Sequence, residues 1–247
     1  MFKEYGELST KLYEMTKPVG HSMNGDIEYY DEKLKNREGS VLEAGVGTGR
    51  MLIPFLKKGI AVDGVDISPE MLEQCKVNMR EHQVHTNLLQ QDITQLNLDR
   101  KYHTVIMPTG SFGLLPRNQI HAFLQNVYQH LEEDGQFIFD TLLPIDFKTG
   151  DIDISHYPLT ADSGILFTNT SKDIDWLEQK VSYIHKYELV HKGAVEKTEI
   201  SHFILHWYGR KELELLLEKM GFGNIDYEIG YGQDNDPSLI TFIAHKV

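Results

Sequence analysis

The chain has 247 residues, with 24 Lys+Arg against 37 Asp+Glu, a formal charge of −13, 40% hydrophobic residues and 25% charged ones. These proportions are ordinary for a globular protein and exclude a collagenous, low-complexity or wholly disordered chain. A single cysteine, Cys75, excludes an internal disulfide framework and a multi-cysteine zinc site, so a reducing, cytoplasmic setting is expected. No apolar run approaches the roughly 18 residues of a spanning helix, and no basic-then-apolar leader opens the sequence. An acidic chain without a Lys/Arg cluster is a poor match for phosphate backbones. Neither a membrane nor nucleic acid is expected as a partner, whereas a small charged substrate is allowed.

Short apolar runs then alternate with helical stretches. Residues 40–44 read as a buried strand, 45–49 as a glycine turn, and 50–58 as a helix stopped by Gly59. Residues 60–65 form a second strand ending at Asp66. Ser68-Pro69-Glu70 opens the next helix with a capping hydroxyl, a proline at the first helical position and an early acid. Leu72, Cys75 and Met79 share one of its faces. Residues 88–91 are a third strand closing on Asp92, and 104–107 a fourth. In 117–131 apolar residues recur at helical spacing from Ile120 to Leu131, giving a broad core-facing stripe. Asp134-Gly135 ends that helix, and 137–139 are a fifth strand.

Residues 143–207 break the alternation: 164–170, 179–191 and 194–208 read as strands without helices between them, and Lys192-Gly193 suits a two-residue hairpin turn. A Leu-rich helix at 210–220, capped by Gly221, precedes two strands, 224–230 and 239–246, joined too closely for a crossover and therefore antiparallel. The fold class that follows is α/β: a doubly wound, mostly parallel, seven-stranded Rossmann-like sheet with an antiparallel β insert. The organisation expected is one domain over 1–247, with 143–207 as an inserted lid. Ligands of such sheets bind beyond the carboxyl ends of the strands, near the topological switch.

The strongest chemical signal is Glu43-Ala44-Gly45-Val46-Gly47-Thr48-Gly49 between strand and helix. Glycines let the backbone turn tightly and let a ligand approach without meeting a Cβ. A nicotinamide or flavin fingerprint, Gly-x-Gly-x-x-Gly, would place its third glycine at position 50, which is Arg50; the glycine falls one residue early. Glu43 would also be a poor neighbour for a pyrophosphate. A nucleotide-dependent oxidoreductase is disfavoured.

Here the sequence resembles the class I S-adenosylmethionine-dependent methyltransferases. Residues 41–50 look like their first motif, acid-x-Gly-x-Gly-x-Gly. Gly64-Val65-Asp66-Ile67-Ser68-Pro69-Glu70-Met71-Leu72 is similar to their second, and Gln91-Asp92-Ile93 to the pair used for the adenine. The resemblance implies S-adenosyl-L-methionine as cofactor, with Glu43, Gly45, Gly47, Gly49, Asp66, Ile67, Met71, Asp92, Ile93 and Pro108 around it. Asp66 would accept the ribose hydroxyls, Asp92 the exocyclic amine, and Glu43 would face the ammonium or organise the turn. Tyr13 resembles the tyrosine that such enzymes fold over the sulfonium, where cation–π attraction would contribute about 0.5–2 kcal/mol; helix packing is the alternative, and Tyr5, Tyr29 and Tyr30 compete.

Three subclasses are excluded by what is missing: the Asn/Asp-Pro-Pro-aromatic motif after the fourth strand (Met107-Pro108-Thr109-Gly110 stands there), a Pro-Cys nucleophile and a paired-glutamate hairpin. A small-molecule N- or O-methyltransferase remains, similar to the subgroup with an antiparallel insert after the fifth strand. Ser111, Phe112 and Asp140, at strand ends, are acceptor-pocket candidates by position. If the 192–193 turn pairs its strands without interruption, Tyr183, His185, Tyr187, Ile200, His202, Ile204, His206 and Tyr208 share one side. His206, His202 and Tyr183 are then the candidate bases. His202 and His206 lie too far apart in a strand for easy co-ligation, and no metal is expected. The alternative function is a non-catalytic sensor of S-adenosylmethionine or S-adenosylhomocysteine. Oligomeric state is open.

Overall fold

The computed structural model describes residues 5–35, 39–232 and 236–247. The first four residues, part of the segment examined for a leader, lie outside them. The elements run α1 (Glu7–Thr16), α2 (Asp26–Leu34), β1 (Val41–Ala44), α3 (Leu52–Lys57), β2 (Val62–Asp66), α4 (Pro69–Glu81), β3 (Leu88–Gln90), β4 (Tyr102–Met107), α5 (Ile120–His130) and β5 (Leu131–Leu142). There follow β6 (Ile152–Pro158), β7 (Ser163–Asp175), β8 (Lys180–His191), β9 (Ala194–His206), α6 (Arg210–Lys219), β10 (Phe222–Ile229) and β11 (Leu239–Lys246).

The chain divides into two compact units. The larger comprises Val19–Leu143 and Trp207–Val247, and holds a seven-stranded sheet of order β10-β11-β5-β4-β1-β2-β3. β1 pairs in parallel with both β2 and β4, and β4 with β5, while β11 runs antiparallel to β5 and β10 to β11. The fold is the α/β class expected. Because successive strand residues alternate between faces, each central strand feeds two cores. Leu42, Val105, Phe137 and Phe139 pack with α5 and α6 on one side. Val41, Ile106 and Ile138 pack with α2, α3 and α4 on the other. Phe137 stacks on Phe139 at 4.5 Å between ring centres, and Phe139 lies 5.4 Å from Phe242, so aromatic layers fill the first core.

β5 differs from the expected short strand. It begins where α5 ends and continues through Asp134-Gly135, with Asp134 at φ 60°. The register against β4 shifts between Tyr102 and Thr104, so the supposed turn is a bulge that lets the strand change course while staying paired.

The smaller unit comprises Met1–Pro18 and Pro144–His206, with a four-stranded antiparallel sheet of order β6-β7-β8-β9. β6 carries its two isoleucines, Ile152 and Ile154, at exposed positions, and only Tyr157 packs inward, which left no buried alternation to mark it. Lys192 and Gly193 turn the β8–β9 hairpin with positive φ at both positions, 49° and 81°. Past the turn the register slips between Leu189 and Val190, placing one extra residue in β9. The slip overturns the expected face. Tyr183 pairs with Phe203 and His185 with Ser201, whereas His202 pairs with Ile184 and His206 with Lys180. Tyr183, His185 and Tyr187 therefore share a side with Phe203, and His202, Ile204 and His206 lie on the other. Trp207 and Tyr208 are not strand residues; both are buried in the larger unit.

α1 packs Leu8 and Leu12 against Ile165 and Tyr187. Its first turn is capped from β9: the Glu199 carboxylate accepts from Leu8 N (3.0 Å), Ser9 N (3.3 Å) and Ser9 Oγ (2.8 Å). An acid on the free N–H groups of a helix start also meets the positive end of the helix dipole.

Candidate functional site

Elements of the larger unit bring the motif residues together at the carboxyl ends of β1, β2 and β4. β1 turns at Gly45, whose N–H and that of Val46 donate to Val65 O at 2.8 and 3.1 Å, tying the turn to β2. At Gly47 (φ 55°) an added Cβ would meet nothing within 4 Å, so this position borders open space. Gly49 is glycine for another reason. At φ 82° its Cβ would stand 2.7 Å from Cys75 Sγ, so α4 packs directly under the turn. Asn78 of α4 adds a hydrogen bond to Thr48 O at 2.9 Å. Cys75, wholly buried, is a packing residue here.

Asp66 ends β2. Its Oδ2 accepts from Gly47 N at 2.8 Å and its Oδ1 from Ser68 N at 2.9 Å, so the carboxylate joins the glycine turn to the start of α4. Burial pushes its pKa up, against the pull of the backbone N–H groups of Ser68, Gly47 and Ile67. A carboxylate has about four acceptor sites, so capacity remains for ligand hydroxyls. Ser68 caps α4 as expected, accepting from Met71 N at 3.2 Å. Beside Asp66, Ile67 is 65% exposed, an apolar side chain turned to solvent at a strand end, while Met71 is buried. Asp92 caps the short turn Ile93–Gln95, its Oδ1 accepting from Thr94 N and Thr94 Oγ1 at 2.9 and 2.8 Å. The adenine partner inferred for it is thus a residue already fixed in orientation. Ile93 packs against the core.

Glu43, on β1, is 3% exposed, and its Oε2 has no hydrogen-bond partner. Burial is the main cause that pushes its carboxyl up to about 8; Arg50 pulls down, Asp26 and Asp66 push up. The Arg50 guanidinium is held by Asp26, Nη2 to Oδ2 at 2.5 Å and Nη1 to Oδ1 at 3.2 Å, and also donates to His21 O and Thr109 Oγ1. Asp26 itself accepts from Met23 N and Ile27 N, both at 2.8 Å.

Beyond β4, buried Pro108 leads into Thr109, which adopts φ 59°. Its N–H donates to Asp140 Oδ2 at 2.6 Å. Asp140 was expected in an acceptor pocket, but it is wholly buried and also accepts from Tyr30 (2.9 Å), Tyr231 (2.8 Å) and Thr241 (2.8 Å). Four donors leave it no free side; it braces the loop after β4. Phe112 is likewise corrected. It is wholly buried between Phe139 (4.5 Å), Tyr208 (5.2 Å) and Phe123 (5.9 Å), and is part of the core. Ser111 lies beside the glycine turn: a Cβ on Gly45 would be 3.5 Å from its Cβ.

Sequence reasoning missed Asp26, Arg50 and Tyr231; it named Tyr30 only as a rival of Tyr13, whereas the Tyr30 hydroxyl donates to Asp140. Arg50 had a signal, since it stood where a dinucleotide fingerprint needs glycine. The remaining candidates belong to the smaller unit. Tyr13 lies on α1 with Lys17 Nζ 5.0 Å from its ring centre. Tyr183 is flanked by Phe147 (5.3 Å), His185 (6.0 Å) and Phe203 (6.3 Å). His202 and His206 are on the opposite face of the sheet.

These residues fit S-adenosylmethionine on three observations: the unpartnered Glu43 oxygen suits an ammonium, the space over Gly47 admits a ligand, and Asp66 can accept ribose hydroxyls. Comparison with known proteins agrees. Residues 41–135 match a family described as a methyltransferase domain. A protein of Geobacillus sp. (strain WCH70) that bears a methyltransferase name is 31% identical over 117 residues, 45% of this chain and 47% of its own. The ubiquinone biosynthesis O-methyltransferase of Rickettsia akari (strain Hartford) is 27% identical over 122 residues, 47% of each chain. The chain thus spans about half the length of these curated relatives. Among solved structures, the sugar N-methyltransferase KedS8 from Streptoalloteichus sp ATCC 53650 superposes with a TM-score of 0.79 at 17% identity, over 100% of this chain and 95% of that one. Such likeness, at that identity, is one of fold.

Proposed function

We propose that this chain, in which residues 41–135 match a methyltransferase domain, is a class I S-adenosylmethionine-dependent methyltransferase that transfers a methyl group to a nitrogen or oxygen of a small molecule. The observation that carries the reading is the cluster at the carboxyl ends of β1 and β2. There a buried carboxylate with an unmatched oxygen, an open glycine turn and the Asp66 carboxylate stand within one strand–turn–helix unit. When bound, the cofactor supplies an electrophilic methyl on a cationic sulfur. The chain's part is to hold it: Asp66 through charge-assisted hydrogen bonds to hydroxyls, Glu43 through its charge, Asp92 and Ile67 through the base. In-line displacement then depends on positioning and exclusion of water.

A small acceptor is supported by the antiparallel sheet inserted after β5, which makes the reading one domain with an inserted subdomain. The name of KedS8, a sugar N-methyltransferase, points the same way. A base is required only where the acceptor arrives protonated, and His206, His202 and Tyr183 stay its candidates, tested singly by pH–rate profiles. A cytoplasmic setting fits the single buried cysteine. No helix among the described residues is long and apolar enough to cross a membrane.

Calorimetric titration tests the reading. Losing a hydrogen bond to a charged group costs about 1.5–3 kcal/mol, so Asp66→Ala should weaken S-adenosylmethionine binding roughly tenfold to a hundredfold. Unchanged affinity in a folded variant would overturn the assignment.

A further inference from the structure

We propose that Glu43 carries a proton in the ligand-free protein and gives it up when an ammonium-bearing ligand binds. The inference rests on the function proposed above and couples cofactor binding at that site to the release of a proton.

The charged groups that face Glu43 are Arg50 ahead of α3, Asp26 at the start of α2 and Asp66 at the end of β2. An ionised Glu43 would be a third negative charge against one positive charge. That guanidinium is already engaged through two nitrogens by Asp26, at 2.5 and 3.2 Å. Glu43 is 3% exposed and its Oε2 receives no hydrogen bond from the protein, so a charge there is opposed by burial and offset only by the shared Arg50. A buried carboxylate without its own counter-charge or donors neutralises rather than remaining ionised, in keeping with its carboxyl being pushed up to about 8.

A ligand ammonium placed at Oε2 changes the balance by supplying both a counter-charge and donors. The exchange balances as carboxylic acid plus ammonium ligand going to carboxylate–ammonium pair plus one proton, released to solvent. A ligand without an ammonium offers nothing to ionise against and leaves the proton in place. Binding of an ammonium ligand should accordingly weaken as pH falls below about 8, approaching tenfold per unit between pH 7 and 6.

The test is calorimetry of the whole chain at pH 6.5 in buffers of differing ionisation enthalpy, which counts protons exchanged. Two ligands are titrated: S-adenosylhomocysteine, which carries the ammonium, and 5′-methylthioadenosine, which lacks it. The expected result is release approaching one proton with the first and about none with the second. Difference infrared spectroscopy should show a protonated-carboxyl band lost with the first ligand only, a readout that needs no variant. In Glu43→Gln the release with S-adenosylhomocysteine should vanish. Normal binding without proton release, equal release with both ligands, or unaltered release in Glu43→Gln would each overturn the proposal and leave the methyltransferase reading standing. Failure of both ligands to bind would instead overturn that reading, and the proposal with it.

Discussion

Glu43 and Asp140 are carboxyls whose burial outweighs the groups that stabilise their charge. Asp140 is pushed up to about 6 by burial, although Thr241, Tyr231, Thr109 and Tyr30 all donate to it; Glu43 is pushed up to about 8. In both, the folded state binds protons more tightly than the unfolded chain. Their contribution to stability is full below the ordinary carboxylate range and is lost as pH rises through about 6 for Asp140 and about 8 for Glu43. The ligand-free chain should therefore lose stability from pH 5 to 8, and Glu43→Gln should remove part of that loss, on the order of a few kcal/mol. Urea midpoints for both proteins at each pH give the difference; parallel profiles would show Glu43 to be ionised throughout. The two residues also differ in legibility. Glu43 and Asp66 belong to a pattern that is local in sequence: a strand, a glycine turn and the next strand end. The partners of Asp140, by contrast, lie 110, 91 and 101 residues away at Tyr30, Tyr231 and Thr241. Nothing near position 140 announces them.

The β8–β9 hairpin shows why element type is easier to read than register. A strand slip of one residue exchanges faces, and register is well specified only where one face alone is apolar. β8 alternates Tyr183, His185 and Tyr187 with Ile184 and Lys186, and β9 alternates Phe203 with His202 and Ile204, so neither face declares itself. The turn was legible from Lys192-Gly193; the extra residue that follows it was not, and it moves both histidines away from Tyr183. Helix α1 depends on the same strand. Its N-cap position is Gly6, whose lack of a side chain leaves room for Glu199; a Cβ there would lie 2.6 Å from that carboxyl. The cap of this helix is thus supplied by a distant strand. Glu199→Ala removes the acceptor for Leu8 N, Ser9 N and Ser9 Oγ and should cost about 1–2 kcal/mol. The loss should be read by hydrogen exchange as faster exchange at the first turn of α1, with amides of β1 and β4 unaffected. Equal acceleration in both units would show that Glu199 supports more than the helix start.

At the scale of the whole molecule, the formal charge of −13 gives little guide to the ligand, because only a few acids meet at the carboxyl ends of β1 and β2. Glu43, Asp66 and Asp26 lie there around one guanidinium. This arrangement favours a ligand bearing positive charge over a pyrophosphate, which would bring further negative charge to acids already short of cations. It also separates the glycine turn here from a dinucleotide turn on electrostatic grounds, independently of the displaced third glycine. Mass action converts the distinction into a measurement. A ligand at a hundred times its Kd stabilises the folded state by about 2.7 kcal/mol, which for a chain of this length is roughly 5–10 °C in Tm. S-adenosylmethionine and S-adenosylhomocysteine should produce shifts of that size, while NAD and NADP at equal concentration should produce none. Stabilisation by NAD alone would mean that the glycine turn accepts a pyrophosphate despite Glu43, and the acids at the strand ends would then need a different role.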